Sequence, residues 1–126
     1  MNRNYKYLVA VLFIVVCAAA SAKEIPLAPM APSNISLQAM SDDSVMVRWY
    51  DNSRTEMGFT VQRSADGVNW RQVATISADE DGFFDHGLDP STRYIYRVAA
   101  FNRGGRSDFS RSAAVQTFRL AGNYPL

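Results

Sequence analysis

The chain has 126 residues, 13 Lys and Arg side chains against 12 Asp and Glu side chains, and a formal net charge of +1. This is the length of one ordinary domain with extensions, and a charge so close to zero argues against a nucleic-acid-binding protein or a protein drawn to an anionic membrane surface. A single cysteine excludes the small scaffolds held by disulfides, so a hydrophobic core has to stabilise the fold.

The first 22 residues have the layout of a secretory signal peptide. Arg3 and Lys6 form a basic start, residues 8–20 are an uncharged apolar run, and a small-residue cleavage site ends at Ala22. The run is shorter than the roughly 20 apolar residues that a membrane-spanning helix needs. We therefore predict export of the rest of the chain, secreted or to the periplasm, with membrane contact only through the signal before its cleavage.

Two alternatives stay open for this segment: an uncleaved N-terminal anchor and a lipoprotein signal. Cys17 ends the apolar run, as a lipidated cysteine does, but Val16 precedes it where Gly or Ala is usual. Cleavage after Ala22 lowers the 13 basic residues to 11 against 12 acidic ones, which leaves a net charge of −1 on an exported part without cysteine.

Residues 23–32, KEIPLAPMAP, contain three prolines, which remove N–H donors and fix φ. We expect residues 23–31 to be an extended linker that leads into an edge strand. Short runs of alternating apolar and polar residues follow, separated by turn signals about every ten residues, a spacing typical of a β-sandwich. Seven strands are predicted, at residues 35–39, 45–50, 59–62, 73–75, 83–84, 94–101 and 113–118.

The strongest turn signal is Asp66-Gly67. A two-residue hairpin turn holds both of its central residues at positive φ, which Asp-Gly tolerates well. We therefore predict a tight hairpin there. Gly104-Gly105 marks a second turn.

Several segments, in order and at matching spacing, resemble a fibronectin type III domain over residues 29–118. Trp49 in SVMVRWYD stands at the place of the core tryptophan of the family's second strand. The third strand and its hairpin match GFTVQRSADGVNW, the sixth strand matches LDPSTRY and RVAAFN, and the loop after it matches GGRSDFS.

The resemblance implies an all-β fold, a seven-stranded antiparallel immunoglobulin-like β-sandwich preceded by a signal peptide. The domain would cover residues 32–118 and be followed by a tail at 119–126. Tyr94 is expected to be a corner tyrosine, with its ring buried and its hydroxyl bonded to nearby backbone. The expected core contains Trp49, Phe59, Val61, Leu88, Tyr94, Tyr96 and Val98.

Nothing in the sequence predicts an enzyme, a cofactor or a metal site. His86 is the single histidine and lies in a turn, FFDHGL, so we interpret it as a solvated residue. Zinc needs several Cys or His ligands, and the chain has one residue of each type, so a zinc site is not expected. The acidic cluster at residues 79–81 lacks the glycine and glutamate spacing of a helical calcium loop, so we interpret it as a charged turn, with calcium as the alternative. Asp51 and Glu56 are interpreted as turn formers that bind amides of their own loop.

Two surfaces are candidates for partner binding. In the family fold, the loops after the second and sixth strands leave the same end, which would bring Arg54, Arg103 and Arg106 together beside an exposed Phe109. Arginine forks bind carboxylates, sulfates and phosphates. The alternative is that the acidic residues of the same loops, Asp51, Glu56 and Asp108, neutralise these arginines in surface ion pairs.

The second candidate surface is the outer face of the third and sixth strands. Alternation predicts that Ile95 and Phe101 point outward there, and exposed apolar pairs mark interfaces. The face comprises Thr60, Gln62, Ile95, Arg97, Ala99 and Phe101.

We interpret the chain as an exported, non-catalytic binding or adhesion module that recognises a protein or carbohydrate on the cell surface or in the envelope. Nucleic acid is not an expected partner. The alternative is a structural accessory or spacer subunit of an envelope or secreted assembly that pairs by strand addition.

Trp49→Ala is expected to lower the free energy of unfolding by about 3–5 kcal/mol, because transfer energy is lost and a cavity is left. This is a large part of the roughly 5–15 kcal/mol that stabilises a small domain. Urea denaturation measures the loss, and a value below about 1 kcal/mol, typical of surface changes, would place Trp49 outside the core.

Overall fold

The computed structural model describes residues 23–122. The predicted signal peptide, and with it the choice between cleavage, anchoring and lipidation, lies outside the described residues, as does the end of the predicted tail. Within residues 23–122, no helix is long and apolar enough to cross a membrane. This part forms eight strands: β1 Ser33–Ala39, β2 Val45–Tyr50, β3 Gly58–Ser64, β4 Arg71–Ser77, β5 Gly82–Asp85, β6 Arg93–Asn102, β7 Gly105–Arg106 and β8 Ala113–Gln116.

The strands form two antiparallel sheets that enclose one core. The smaller sheet has the order β1-β2-β5, and β1 is at its edge, as predicted. The larger sheet has the order β4-β3-β6, and β7 and β8 pair with opposite ends of the long strand β6. This architecture confirms the predicted all-β sandwich.

The eighth strand is β7, a two-residue strand that follows β6 where the sequence predicts only the Gly104-Gly105 turn. Between β7 and β8, two serine hydroxyls replace part of the backbone ladder: Ser107 Oγ accepts from Ala100 N at 2.9 Å and Ser110 Oγ accepts from Val98 N at 3.0 Å. The amides of the same serines donate to the carbonyls of the same two β6 residues. The segment between β7 and β8 therefore stays attached to β6 without continuous strand geometry.

Alternation along the strands builds the core from both sheets. Val45 and Val47 on β2 are fully buried, and the Trp49 ring packs on Phe59 of β3 with 5.3 Å between ring centroids. The hydroxyl of Tyr94 accepts from Asp89 N at 2.9 Å, which is the backbone contact expected of a corner tyrosine. All the residues expected in the core are buried: Trp49, Phe59, Val61, Leu88, Tyr94, Tyr96 and Val98.

One buried polar cluster connects the two sheets. Arg63 of β3 forms an ion pair with Asp85 of β5, with 2.6 Å between Nη1 and Oδ2, and the hydroxyl of Tyr96 donates to the same oxygen at 2.7 Å. Burial opposes the charged form of Arg63, but the hydrogen bond and charge of Asp85 outweigh it and raise the Arg63 pKa. Burial and the Asp85 carboxylate also raise the pKa of Tyr96, so its hydroxyl stays a donor.

The predicted two-residue hairpin at Asp66-Gly67 is wrong. Six residues separate β3 from β4, and of this pair only Gly67 has a positive φ, 77°. The Asp66 carboxylate stabilises the wider turn by accepting from the amides of Asn69 and Val68 at 2.8 and 2.9 Å. These bonds, with those from the side chains of Asn69 and Ser64, hold the pKa of Asp66 well below its usual range.

Part of the predicted linker packs against the domain. Asn102 Nδ2 donates to the carbonyl of Leu27 at 2.8 Å, and Asn52 Nδ2 donates to the carbonyl of Ala31 at 2.9 Å. Residues 26–28 cross the β6–β7 turn so closely that a Cβ on Gly104 would overlap the backbone of Pro26. This N-terminal segment is therefore fitted to a glycine in the turn.

Asp85→Asn is expected to lower the free energy of unfolding by about 3 kcal/mol, because it leaves the Arg63 guanidinium without a counter-charge. We expect the lower end of the range for broken buried pairs, since the Arg63 side chain is 23% exposed and reaches water. Urea denaturation measures the loss. The double variant Arg63→Met/Asp85→Leu removes both charges and is expected to be more stable than the single variant; a double variant of lower stability would show that the unpaired charge of Arg63 does not cause the loss.

Gly104→Ala is expected to release the N-terminal segment, because the added methyl group needs the space that Pro26 occupies. The rate of chymotrypsin cleavage after Leu27 should rise several-fold while the domain core stays resistant. Gly122→Ala is the matched control, since nothing lies within 4 Å of a Cβ at Gly122. Equal cleavage rates in the two variants would contradict the docking of the segment.

Candidate functional site

The loop between β2 and β3 adjoins the β6–β7 turn, as the resemblance implied. Asn102 Nδ2 in the turn donates to the carbonyl of Thr55 at 3.1 Å, and Met57 N donates to the carbonyl of Phe101 at 2.7 Å. Arg54 and Arg103 lie on these two neighbouring segments, and both are exposed.

The surroundings of Arg54 are acidic. Arg54 lines an open groove of about 400 Å³ together with Asp51, Glu56 and residues 78–81, which include three more carboxylates. Asp51 accepts from Ser53 N at 2.9 Å and forms the expected local turn. Burial raises the pKa of Asp51, and the neighbouring Glu56 carboxyl adds to the increase against the lowering bond from Ser53. Glu56 differs from the expected turn former, because its buried Oε2 has no hydrogen-bond partner within residues 23–122.

Arg106 and Phe109 lie in a different environment, on the outer face of the larger sheet. The Arg97 guanidinium carbon lies 4.1 Å from the centroid of Trp70 and 4.0 Å from that of Phe109. The Arg106 guanidinium carbon lies 4.1 Å from the centroid of Phe109. Cation–π attraction of this geometry holds charged groups against aromatic rings. We call Trp70, Arg97, Phe109 and Arg106 the arginine stack.

The strands place the members of the arginine stack on one face. Gln62 and Arg97 are paired across β3 and β6, and the Gln62 Oε1 accepts from Arg97 Nε at 2.9 Å. Arg106 is paired with Phe101 across β6 and β7, so its side chain shares the outer face. The bonds of Ser107 and Ser110 to β6 hold the segment that carries Phe109 beside this face.

Several exposure predictions for this face are wrong. Phe109 is half-buried rather than exposed, because it packs between arginines. Ile95 is only 8% exposed and Ala99 is fully buried, so neither belongs to an exposed apolar patch. Gly67 in the β3–β4 turn lies over Ile95, with 3.5 Å between the Ile95 Cδ1 and the position of a Cβ on Gly67. Phe101 is half-buried beside Gly58.

The cations of the arginine stack have no ionic partners within the described range. Between residues 23 and 122, the ion pair of Arg63 with Asp85 is the single one at 4.0 Å or less, so Asp108 does not neutralise Arg103 or Arg106. Burial lowers the pKa of Arg97, and the positive charge of Arg106 lowers it further. The alternative, in which loop carboxylates form ion pairs with these arginines, is therefore not found among the described residues.

Trp70 belongs to neither of the surfaces predicted from the sequence, whereas Arg97 is predicted on this face. The stack could have been predicted from the outward register shared by Gln62, Arg97 and Arg106. An aromatic residue follows each of the two neighbouring turns: Trp70 after the β3–β4 turn and Phe109 after the β6–β7 turn. His86 is exposed, with 6.3 Å between its ring centroid and that of Phe84. In the described part of the chain, no three His, Cys, Asp or Glu side chains are close enough to hold a metal ion.

Known proteins share this architecture. Human myomesin-2 is 28% identical over 82% of this chain and 7% of its own length. The Caenorhabditis elegans Ig-like and fibronectin type-III domain-containing protein 1 is 33% identical over 71% of this chain and 8% of its own length. The chain thus spans less than a tenth of these two relatives.

Solved structures of fibronectin type III domains superpose on this chain. The FN1-FN3 domains of chicken CNTN1 superpose with a TM-score of 0.66 at 26% identity, over 73% of this chain and 32% of theirs. A fibronectin type III domain of human contactin 1 superposes with a TM-score of 0.71 at 20% identity, over 84% of this chain and 92% of its own, which shows the fold alone.

The family pattern itself covers most of the described residues. The fibronectin type III domain pattern matches residues 30–116, from the docked N-terminal segment to the end of β8. The chain therefore belongs to the fibronectin type III domain family.

Proposed function

We propose that this chain is an exported, non-catalytic binding module whose binding surface is the arginine stack with the adjoining β6–β7 turn. One observation carries the proposal: aromatic rings hold the guanidinium groups of Arg97 and Arg106, and no carboxylate of the described residues lies within 4.0 Å of either.

Pre-organisation supports a binding role for this face. Gln62 occupies the Nε of Arg97, so the terminal nitrogens of that guanidinium are left to bond a ligand. A planar fork held on an aromatic ring loses little side-chain entropy when it binds a carboxylate, sulfate or phosphate group. Two like charges on one ring repel each other, and a bound anion relieves that repulsion.

Export and a partner on the cell surface or in the envelope belong to the same proposal. The basic start, apolar run and small-residue site of residues 1–22 support export. The single histidine, exposed in a turn, supports a role in binding rather than in catalysis.

A structural accessory or spacer is the second candidate function. It is favoured by the relatives, in which a domain of this type takes up less than a tenth of a long chain. A spacer needs no ligand on its sheet face, so the two candidates differ in whether the arginine stack affects binding.

The Arg97→Ala/Arg106→Ala variant is expected to bind intact cells of the producing organism roughly tenfold more weakly than the unchanged protein, because charge-assisted hydrogen bonds are lost. Flow cytometry of the labelled protein measures this. Arg106→Ala alone is a second test, because it removes one guanidinium group and leaves Arg97 packed on Trp70 and Phe109. Arg54→Ala should have little effect, since Arg54 lies in the acidic groove.

The matched control is Arg48→Ala/Arg119→Ala, which removes the same charge from exposed positions outside the stack. Thermal unfolding of each variant checks that the fold is as stable as in the unchanged protein. Cell binding that is equal in the stack variants and the control would exclude the binding proposal and favour the spacer.

A further inference from the structure

We infer that the arginine stack binds an acidic polysaccharide, a linear glycan with carboxylate or sulfate groups. This inference rests on the proposed function and names the class of its ligand.

Local rather than overall charge points to a specific anion site. The exported part has 11 basic and 12 acidic residues, so diffuse attraction of polyanions is small. The positive charge of the stack is concentrated in two guanidinium groups on one ring. Affinity for an anion at this face therefore has to come from the geometry of these two forks.

The neighbours of the arginine stack favour a glycan over a protein partner. The outer face beside it carries hydroxyls and amides, and Gln72 Nε2 donates to Thr75 Oγ1 at 3.1 Å on β4. Such groups donate and accept, as sugar hydroxyls require. The centre of a protein interface is apolar and aromatic, often with arginine, and it buries open apolar surface. In the stack, guanidinium groups already pack against the rings of Trp70 and Phe109, so hydrogen-bonding groups are what the face mainly offers. No member of the arginine stack is among the large exposed apolar side chains of the described residues, although Leu27 lies at the adjoining β6–β7 turn. These side chains are those of Ile25, Leu27, Met30, Met40, Tyr50, Met57, Val68, Phe84, Phe118 and Leu120.

The stack also disfavours a single-stranded nucleic acid as the polyanion. Base recognition without sequence preference uses free aromatic ring faces on which bases stack. Here two guanidinium groups pack against Phe109 and one packs against Trp70. The face therefore presents charged forks and hydrogen-bonding groups to its ligand in place of open rings.

Isothermal titration calorimetry of the protein purified after export tests the inference. Dextran sulfate and polygalacturonate supply sulfate and carboxylate groups, neutral dextran has the backbone of the first without its charge, and poly-L-glutamate stands for an acidic protein. We expect binding of at least one acidic polysaccharide, none of neutral dextran, and weaker binding of poly-L-glutamate.

Arg97→Lys/Arg106→Lys separates a built site from simple charge. Lysine keeps the charge but loses the planar fork and its stacking, so affinity for the acidic polysaccharide should fall roughly tenfold. The matched control Arg48→Lys/Arg119→Lys makes the same exchange at exposed positions outside the stack and should bind like the unchanged protein. Thermal unfolding confirms that each variant is folded.

Four results would overturn the inference. Equal affinity of the lysine variant would mean diffuse attraction, and preferential binding of poly-L-glutamate would mean an acidic protein partner. If no acidic polysaccharide binds but cell binding still depends on Arg97 and Arg106, the glycan is wrong and the proposed function stands. If cell binding is independent of the stack as well, both are wrong.

Discussion

The ion pair between Arg63 and Asp85 connects the two sheets of this sandwich across their core. A buried charge has to be paired, so the inward position of Arg63 on β3 is fixed by the carboxylate on β5 and the hydroxyl of Tyr96. Side chains alternate along a strand, and a slip of one residue would turn every one of them to the opposite face. The inward direction of Arg63 therefore also secures the outward direction of its neighbour Gln62, which holds Arg97.

The interruption between β7 and β8 places an aromatic ring against two arginines on the outer face of the larger sheet. A continuous strand would have paired with β6 through its backbone alone. Instead, the hydroxyls of Ser107 and Ser110 accept from β6 amides, and the segment between them carries Phe109 against two arginines. Because each serine replaces a backbone acceptor, the departure from regular pairing leaves these amides bonded. The same departure gives Arg97 and Arg106 a common ring.

Four arginines of this domain have different surroundings and therefore different roles. Arg63 is neutralised between the sheets, and Arg54 lies in a groove with five carboxylates. Arg97 and Arg106 are held by rings, with no carboxylate of the described residues in ion-pair range. The first stabilises the fold, the second is surrounded by opposite charge, and the last two are available to an external anion. Composition alone counts all four as equal positive charges.

The sequence by itself determined the sandwich and its core, because period-two alternation and the family motifs are local patterns that the fold obeys. It did not reveal the pairing of Arg63 with Asp85: the alternation of Phe59 and Val61 continues inward to Arg63, but its partner is distant in the chain. It also misjudged the turn at Asp66, where a side chain replaces backbone bonds. Only the tertiary structure decided which arginines are neutralised and which stay available, because that depends on carboxylates and rings brought together from separate strands.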